Sequence, residues 1–78
     1  MTPDWRVALD TLREHYTGDE VAAMLKVHPR AVDGWVAGEY MPSKPRRRQL
    51  VKKALHHCEA DYTARLKAAQ EESDHNVG

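Results

Sequence analysis

Apolar side chains recur along this chain at steps of three and four residues, the period of an amphipathic helix, and no segment alternates as a strand would. Trp5, Leu9, Leu12 and Tyr16 form the first stripe. Thr2 precedes it as an N-cap and Pro3 suits the first helical turn, where a missing N–H costs nothing, so a helix is expected over about residues 3–16. Thr17-Gly18-Asp19-Glu20 has the form of a capping box, with Val21, Ala22, Met24 and Leu25 as the inner face of a short helix near residues 18–25. Lys26-Val27-His28 reads as a turn. Pro29 then opens a third helix near residues 29–37, striped by Val32, Trp35 and Val36 and closed by Gly38 as a left-handed C-cap. Residues 39–45 hold Pro42 and Pro45 and read as a loop. From Arg46 to Glu72 there is neither Gly nor Pro, and Leu50, Val51, Ala54, Leu55, Cys58, Tyr62, Leu66 and Ala69 continue the apolar stripe. That segment is either one helix about 40 Å long or two helices broken near His56–Ala60. Asp61/Arg65 and Lys67/Glu71 are i,i+4 pairs in the favourable order.

The expected fold is therefore all-α, with four or five helices. Residues 1–57 would form the main domain, with its core motif at 17–38. Residues 58–72 would be a helical extension, and residues 73–78 a flexible tail.

Composition narrows the class. A chain of 78 residues, 41% apolar and 31% charged, makes one domain with a limited core, for which a second subunit is a natural support. No apolar run approaches 18 residues, so no membrane span is expected. Met-Thr-Pro-Asp lacks the apolar centre of a secretion signal, and Cys58 is the sole cysteine, so the expected setting is the reducing cytoplasm. Net charge is zero but uneven: −3 over residues 1–25, +6 over 26–53 and −3 over 54–78. A polyanion would be drawn to the central band alone.

A short helix, a three-residue turn and a second short helix make up the helix-turn-helix unit, whose second helix can lie in the DNA major groove. Ala22 supplies the small residue at the helix contact, and Val21, Leu25, Val27, Val32 and Trp35 supply apolar faces. Residues 16–43 resemble the lambda-repressor-like Cro/repressor-type (XRE) helix-turn-helix family, through Thr17, Ala22, Val27, Val32, Trp35, Gly38, Pro42 and Ser43. The resemblance covers about residues 3–57. It implies a lambda-repressor-like helix-turn-helix domain with an extended C-terminal helix, operator binding as a homodimer, and repression or autoregulation. Two departures stand out. Gly18 replaces the family's usual phosphate-binding Gln, and Lys26 replaces the turn Gly, which would impose a left-handed or adjusted backbone, at some cost, on a residue with a Cβ.

On this resemblance the base-reading positions are His28, Pro29, Arg30, Asp33 and Gly34. Arg30 carries most of the readout, since guanidinium can bond bidentately to guanine, and Asp33 can accept from cytosine or orient Arg30. Gly34 costs roughly 1 kcal/mol inside a helix, offset by closer approach to DNA. Lys44, Arg46, Arg47 and Arg48 fall where phosphates flank the groove, and Thr17 and Ser43 can donate to phosphates at helix starts. Cys58, Tyr62, Leu66 and Ala69 form a surplus apolar stripe, read either as folding back on the core or, preferably, as a dimer contact.

His56, His57 and Cys58 are adjacent, and neighbours on a helix splay about 100° apart, so no metal site is expected. No cofactor is expected, nor an enzyme, since no acid–base cluster converges. The function expected is a sequence-specific regulator of double-stranded DNA, of phage or mobile-element type, cytoplasmic and at the nucleoid when bound. An antitoxin-like or adaptor module with a protein partner and a small DNA-packaging subunit are the rivals.

Overall fold

The computed structural model describes residues 2–75, with side chains to Glu71. Four helices follow in order: α1 (Asp4–His15), α2 (Gly18–Leu25), α3 (Pro29–Ala37) and α4 (Lys44–His75). Among the described residues no strand forms. Residues 76–78 of the expected tail lie outside the described residues; the rest of it, to His75, is helical.

Local chemistry sets each boundary. α1 starts after an extended Pro3, and no side chain caps it, so the expected Thr2 cap is not made. α2 is opened by the capping box: Thr17 Oγ1 accepts from the Glu20 N–H at 3.2 Å, and Glu20 Oε1 accepts from the Thr17 N–H at 3.0 Å. α2 and α3 end in the same way. In α2 the Val27 N–H bonds to the Ala22 carbonyl and the Lys26 N–H to that of Ala23; in α3 the Glu39 N–H bonds to Gly34 and the Gly38 N–H to Trp35. Both are Schellman closures, with Lys26 (φ 56°) and Gly38 (φ 76°) in the left-handed region.

The core gathers Val7, Ala8, Leu9 and Leu12 of α1, Val21, Ala22 and Leu25 of α2, Val32 and Trp35 of α3, and Leu50, Ala54, Cys58 and Tyr62 of α4. Thr11, the buried polar residue, donates to the Val7 carbonyl at 2.7 Å. α4 lies along α1, while α3 packs chiefly on α2.

α4 bends at Cys58, whose φ of −140° and ψ of 40° are not helical. The bend has a geometric reason. Leu50, Ala54, Cys58, Tyr62 and Leu66 are spaced by four, and each such step drifts about 40° around a helix of 3.6 residues per turn. Over four steps a straight helix would carry the stripe to its far side. The bend resets the phase, so that Tyr62 is buried against α1 and its hydroxyl reaches the Asp4 carbonyl at 3.4 Å.

This settles which of the two readings of the C-terminal stripe holds within the chain: it folds back. Cys58 and Tyr62 are in the chain's own core, and Leu66 and Ala69 pack against it. Of the four side chains expected at a dimer contact, Cys58 and Tyr62 are therefore buried within the chain, while Leu66 and Ala69 remain half-buried. Beside the bend, Asp61 Oδ2 meets His15 Nε2 at 2.8 Å and Asp61 Oδ1 meets Arg65 Nε at 2.9 Å, joining the end of α1 to the second half of α4.

Candidate nucleic-acid interface

α3 buries Val32 and Trp35, so at about 100° per residue Arg30, Asp33 and Ala37 point away from the core. All three are exposed. Gly34 shares that outward face, one turn from Arg30, yet it is buried. The cause is Tyr40, from the loop after α3. A Cβ on Gly34 would fall inside the Tyr40 ring, and Tyr40 Oη donates to the Arg30 carbonyl at 3.0 Å. Gly34 therefore does not let α3 approach a ligand more closely, as expected from sequence; it makes room for Tyr40.

The other base-reading candidates divide. His28 is the N-cap of α3: its Nδ1 accepts from the Arg30 N–H at 3.1 Å, which leaves the ring proton on Nε2. Pro29 fills the first turn and is half-buried. Asp33 lies by the start of α2, where a Cβ on Gly18 would stand 3.5 Å from its Oδ1 and 3.9 Å from Arg13 Nε. The positive end of α2 favours a carboxylate there. Among the described residues the Arg30 guanidinium makes no hydrogen bond or ion pair.

The run after α3 does not act as one basic strip. Arg46 turns inward: its Nη1 donates to the Leu25 carbonyl at 2.7 Å and to Gln49 Oε1 at 2.8 Å. Arg46 thus caps α2, and its Nη1 is engaged within the chain rather than free for a phosphate. Arg47 is held by the loop, through Met41 Sδ at 2.8 Å and the Pro42 carbonyl at 3.4 Å. Arg48 and Lys44 stay exposed. Ser43 is exposed and accepts the first helical bond of α4 through its carbonyl, from the Arg47 N–H at 2.9 Å. The Thr17 hydroxyl already serves the capping box.

The remaining arginines are mostly engaged as well. Arg6 donates to the Trp35 and Val36 carbonyls at the end of α3, and Arg13 to the Tyr16 carbonyl at 2.7 Å. Arg65 pairs with Asp61. Among the described residues, the cations with no hydrogen bond or ion pair are Arg30, Arg48, Lys26, Lys44, Lys52 and Lys53, and all six come from the +6 band. The ion pairs Arg6–Asp10, Arg65–Asp61 and Lys67–Glu71 lie outside it.

A groove between the starts of α1 and α4 is lined by Asp4, Trp5, Lys44, Arg47, Arg48, Val51 and Lys52, with Trp5 and Val51 as its apolar floor. The titrating groups displaced from their ordinary range lie elsewhere. Asp61 is held low, first by its hydrogen bond from His15 and then by that from Arg65. Burial pushes the Cys58 thiol up, aided by the Asp61 carboxylate, and burial likewise raises Tyr62. Among the described residues, no three His, Cys, Asp or Glu side chains come together as metal ligands, and no helix is long and apolar enough to cross a membrane.

Two contributors to the α3 surface were missed from the sequence. Tyr40 carried no helical periodicity, being in a loop, and Arg6 stands too far from α3 along the chain for any local pattern to link them. Compared with known proteins, the chain matches no family model, no curated protein and no solved structure.

Proposed function

We propose that the chain is a double-stranded-DNA-binding transcriptional regulator of the lambda-repressor-like helix-turn-helix type, a repressor or autoregulator that works by occupying its operator. The observation that carries this reading is the unengaged Arg30 on the outward face of α3, within a band that supplies all six cations without a partner among the described residues. Arg30 reads a guanine; Lys44 and Arg48, with Lys26, Lys52 and Lys53 as further sources of charge, neutralise phosphates. As a homodimer the protein would set two α3 helices about 34 Å apart on a palindromic site. With Cys58 and Tyr62 buried, such a pairing would use exposed apolar side chains, among which are Val36, Met41 and Leu55. The reading includes no cofactor and no catalysis, and places the protein in the cytoplasm.

Selection of bound duplexes from a random pool tests it. A palindromic consensus supports a dimeric regulator; failure to enrich any sequence contradicts it. A protein-binding module of antitoxin or adaptor type is the second reading, favoured by the apolar floor of the Trp5 groove, for which phosphate has no use. A stoichiometric partner lost on Trp5→Ala, together with an empty DNA selection, would favour that reading.

A further inference from the structure

Gly34 stands in the middle of α3 without a backbone reason: among the described glycines only Gly38 has a positive φ. Glycine inside a helix costs about 1 kcal/mol relative to alanine. What the position needs is the absence of a Cβ, because the Tyr40 ring occupies that space. Tyr40 is nevertheless 50% exposed. One side of its ring rests on α3 and its hydroxyl is tied to the Arg30 carbonyl, so ring carbon is what it offers to solvent. The ring thus replaces, on the outward face beside Arg30, the side chain that Gly34 lacks.

We propose that Tyr40 is a base-reading residue that contacts a thymine methyl group next to the base pair read by Arg30. The inference rests on the DNA-binding reading above. Its chemistry follows from what is exposed. The hydroxyl proton of Tyr40 is already engaged with the Arg30 carbonyl, so Tyr40 cannot donate to a base, and its exposed ring carbon is left for apolar contact. The thymine C5-methyl is the apolar group that the major groove displays, and aromatic and methyl side chains contact it. An anchored ring loses little conformational freedom on binding, unlike a free loop side chain.

The test uses the full chain and the duplex it selects. Arg30→Ala identifies the base pair that Arg30 reads. Each thymidine flanking that pair is then replaced by deoxyuridine, which removes only the methyl group. One such replacement should weaken binding of the unaltered protein by roughly fourfold, the scale of one buried methyl group. The same replacement should leave Tyr40→Ala binding unchanged. Gly34→Ser displaces the ring with a polar side chain that offers no methyl group, and should also abolish the sensitivity to deoxyuridine, so the test survives if Tyr40→Ala fails to fold. Equal sensitivity in all three proteins, no sensitivity in the unaltered protein, or a consensus with no thymine flanking that pair would each overturn the role of Tyr40 while leaving DNA binding intact. A selection that enriches nothing would instead remove the DNA-binding reading itself.

Discussion

Arg46 Nη1 lies 2.7 Å from the carbonyl of Leu25, the last residue of α2, so an arginine twenty-one residues downstream closes that helix. Its neighbour Arg48 is exposed and has no partner among the described residues. The two therefore answer different experiments. Arg46→Ala should lower stability by about 1–3 kcal/mol, the worth of a charged hydrogen bond to a partly buried carbonyl. Arg48→Ala should leave the urea midpoint nearly unchanged but reduce the salt dependence of DNA binding by about one unit of slope. A stable Arg46 variant with a reduced salt slope would show the assignments to be reversed.

Lys26 ends α2 with φ 56° and ψ 45°. A side chain with a Cβ is strained there by about 1–2 kcal/mol, part of which glycine gives back through the greater freedom of its unfolded chain. Lys26→Gly should raise stability by about 0.5–1 kcal/mol in urea denaturation. It also removes one free cation, so it should weaken non-specific DNA binding slightly. Lower stability on this change would contradict the strain at the turn.

Asp61 joins His15 to Arg65 across the bend in α4. Those contacts hold its carboxyl below the ordinary range. A group whose folded pKa is lowered contributes stability that is full above its unfolded value and lost as pH falls through the folded value. The urea midpoint of the unaltered protein should therefore fall more steeply on acidification below about pH 5 than that of Asp61→Asn. At neutral pH the variant should be the less stable. Parallel pH profiles would show that the clasp is not made in solution.

Cys58 sits at the bend, 8% exposed, with its thiol pushed up by burial and by Asp61. Alkylation attacks the thiolate, so the native protein should react slowly at pH 8, with a rate that rises as urea unfolds the chain. Fast labelling of the folded protein would mean that the second half of α4 separates readily from α1.

Much of the framework was legible because its determinants are local. α2 and α3 occupy the expected residues: the Thr17–Glu20 box, Pro29 and Gly38 each act on their own backbone neighbours. The left-handed Lys26 is one of the two backbones that the family resemblance implies at a position where Gly is usual. What could not be read depends on contacts distant in sequence. Arg46, Arg47 and Arg48 look alike in a run, and only the position of the α2 carbonyls and the Met41–Pro42 loop separates them. The stripe from Leu50 to Leu66 permitted either a dimer contact or a fold-back; a break near His56–Ala60 is one of the two readings of this segment, and the bend falls within it, at Cys58, with no Gly or Pro to choose between them. Tyr40 and Gly34 explain each other only once the loop is placed over α3.

The central claim is that Arg30, free on the outward face of α3, reads a base. Equilibrium binding of the unaltered protein and Arg30→Ala, each to the selected duplex and to random duplex at one salt concentration, tests it most directly. A loss of about 1–3 kcal/mol confined to the selected duplex, with relaxed preference at one base pair, is the predicted result. An equal loss on both duplexes would make Arg30 one more phosphate contact and contradict the account.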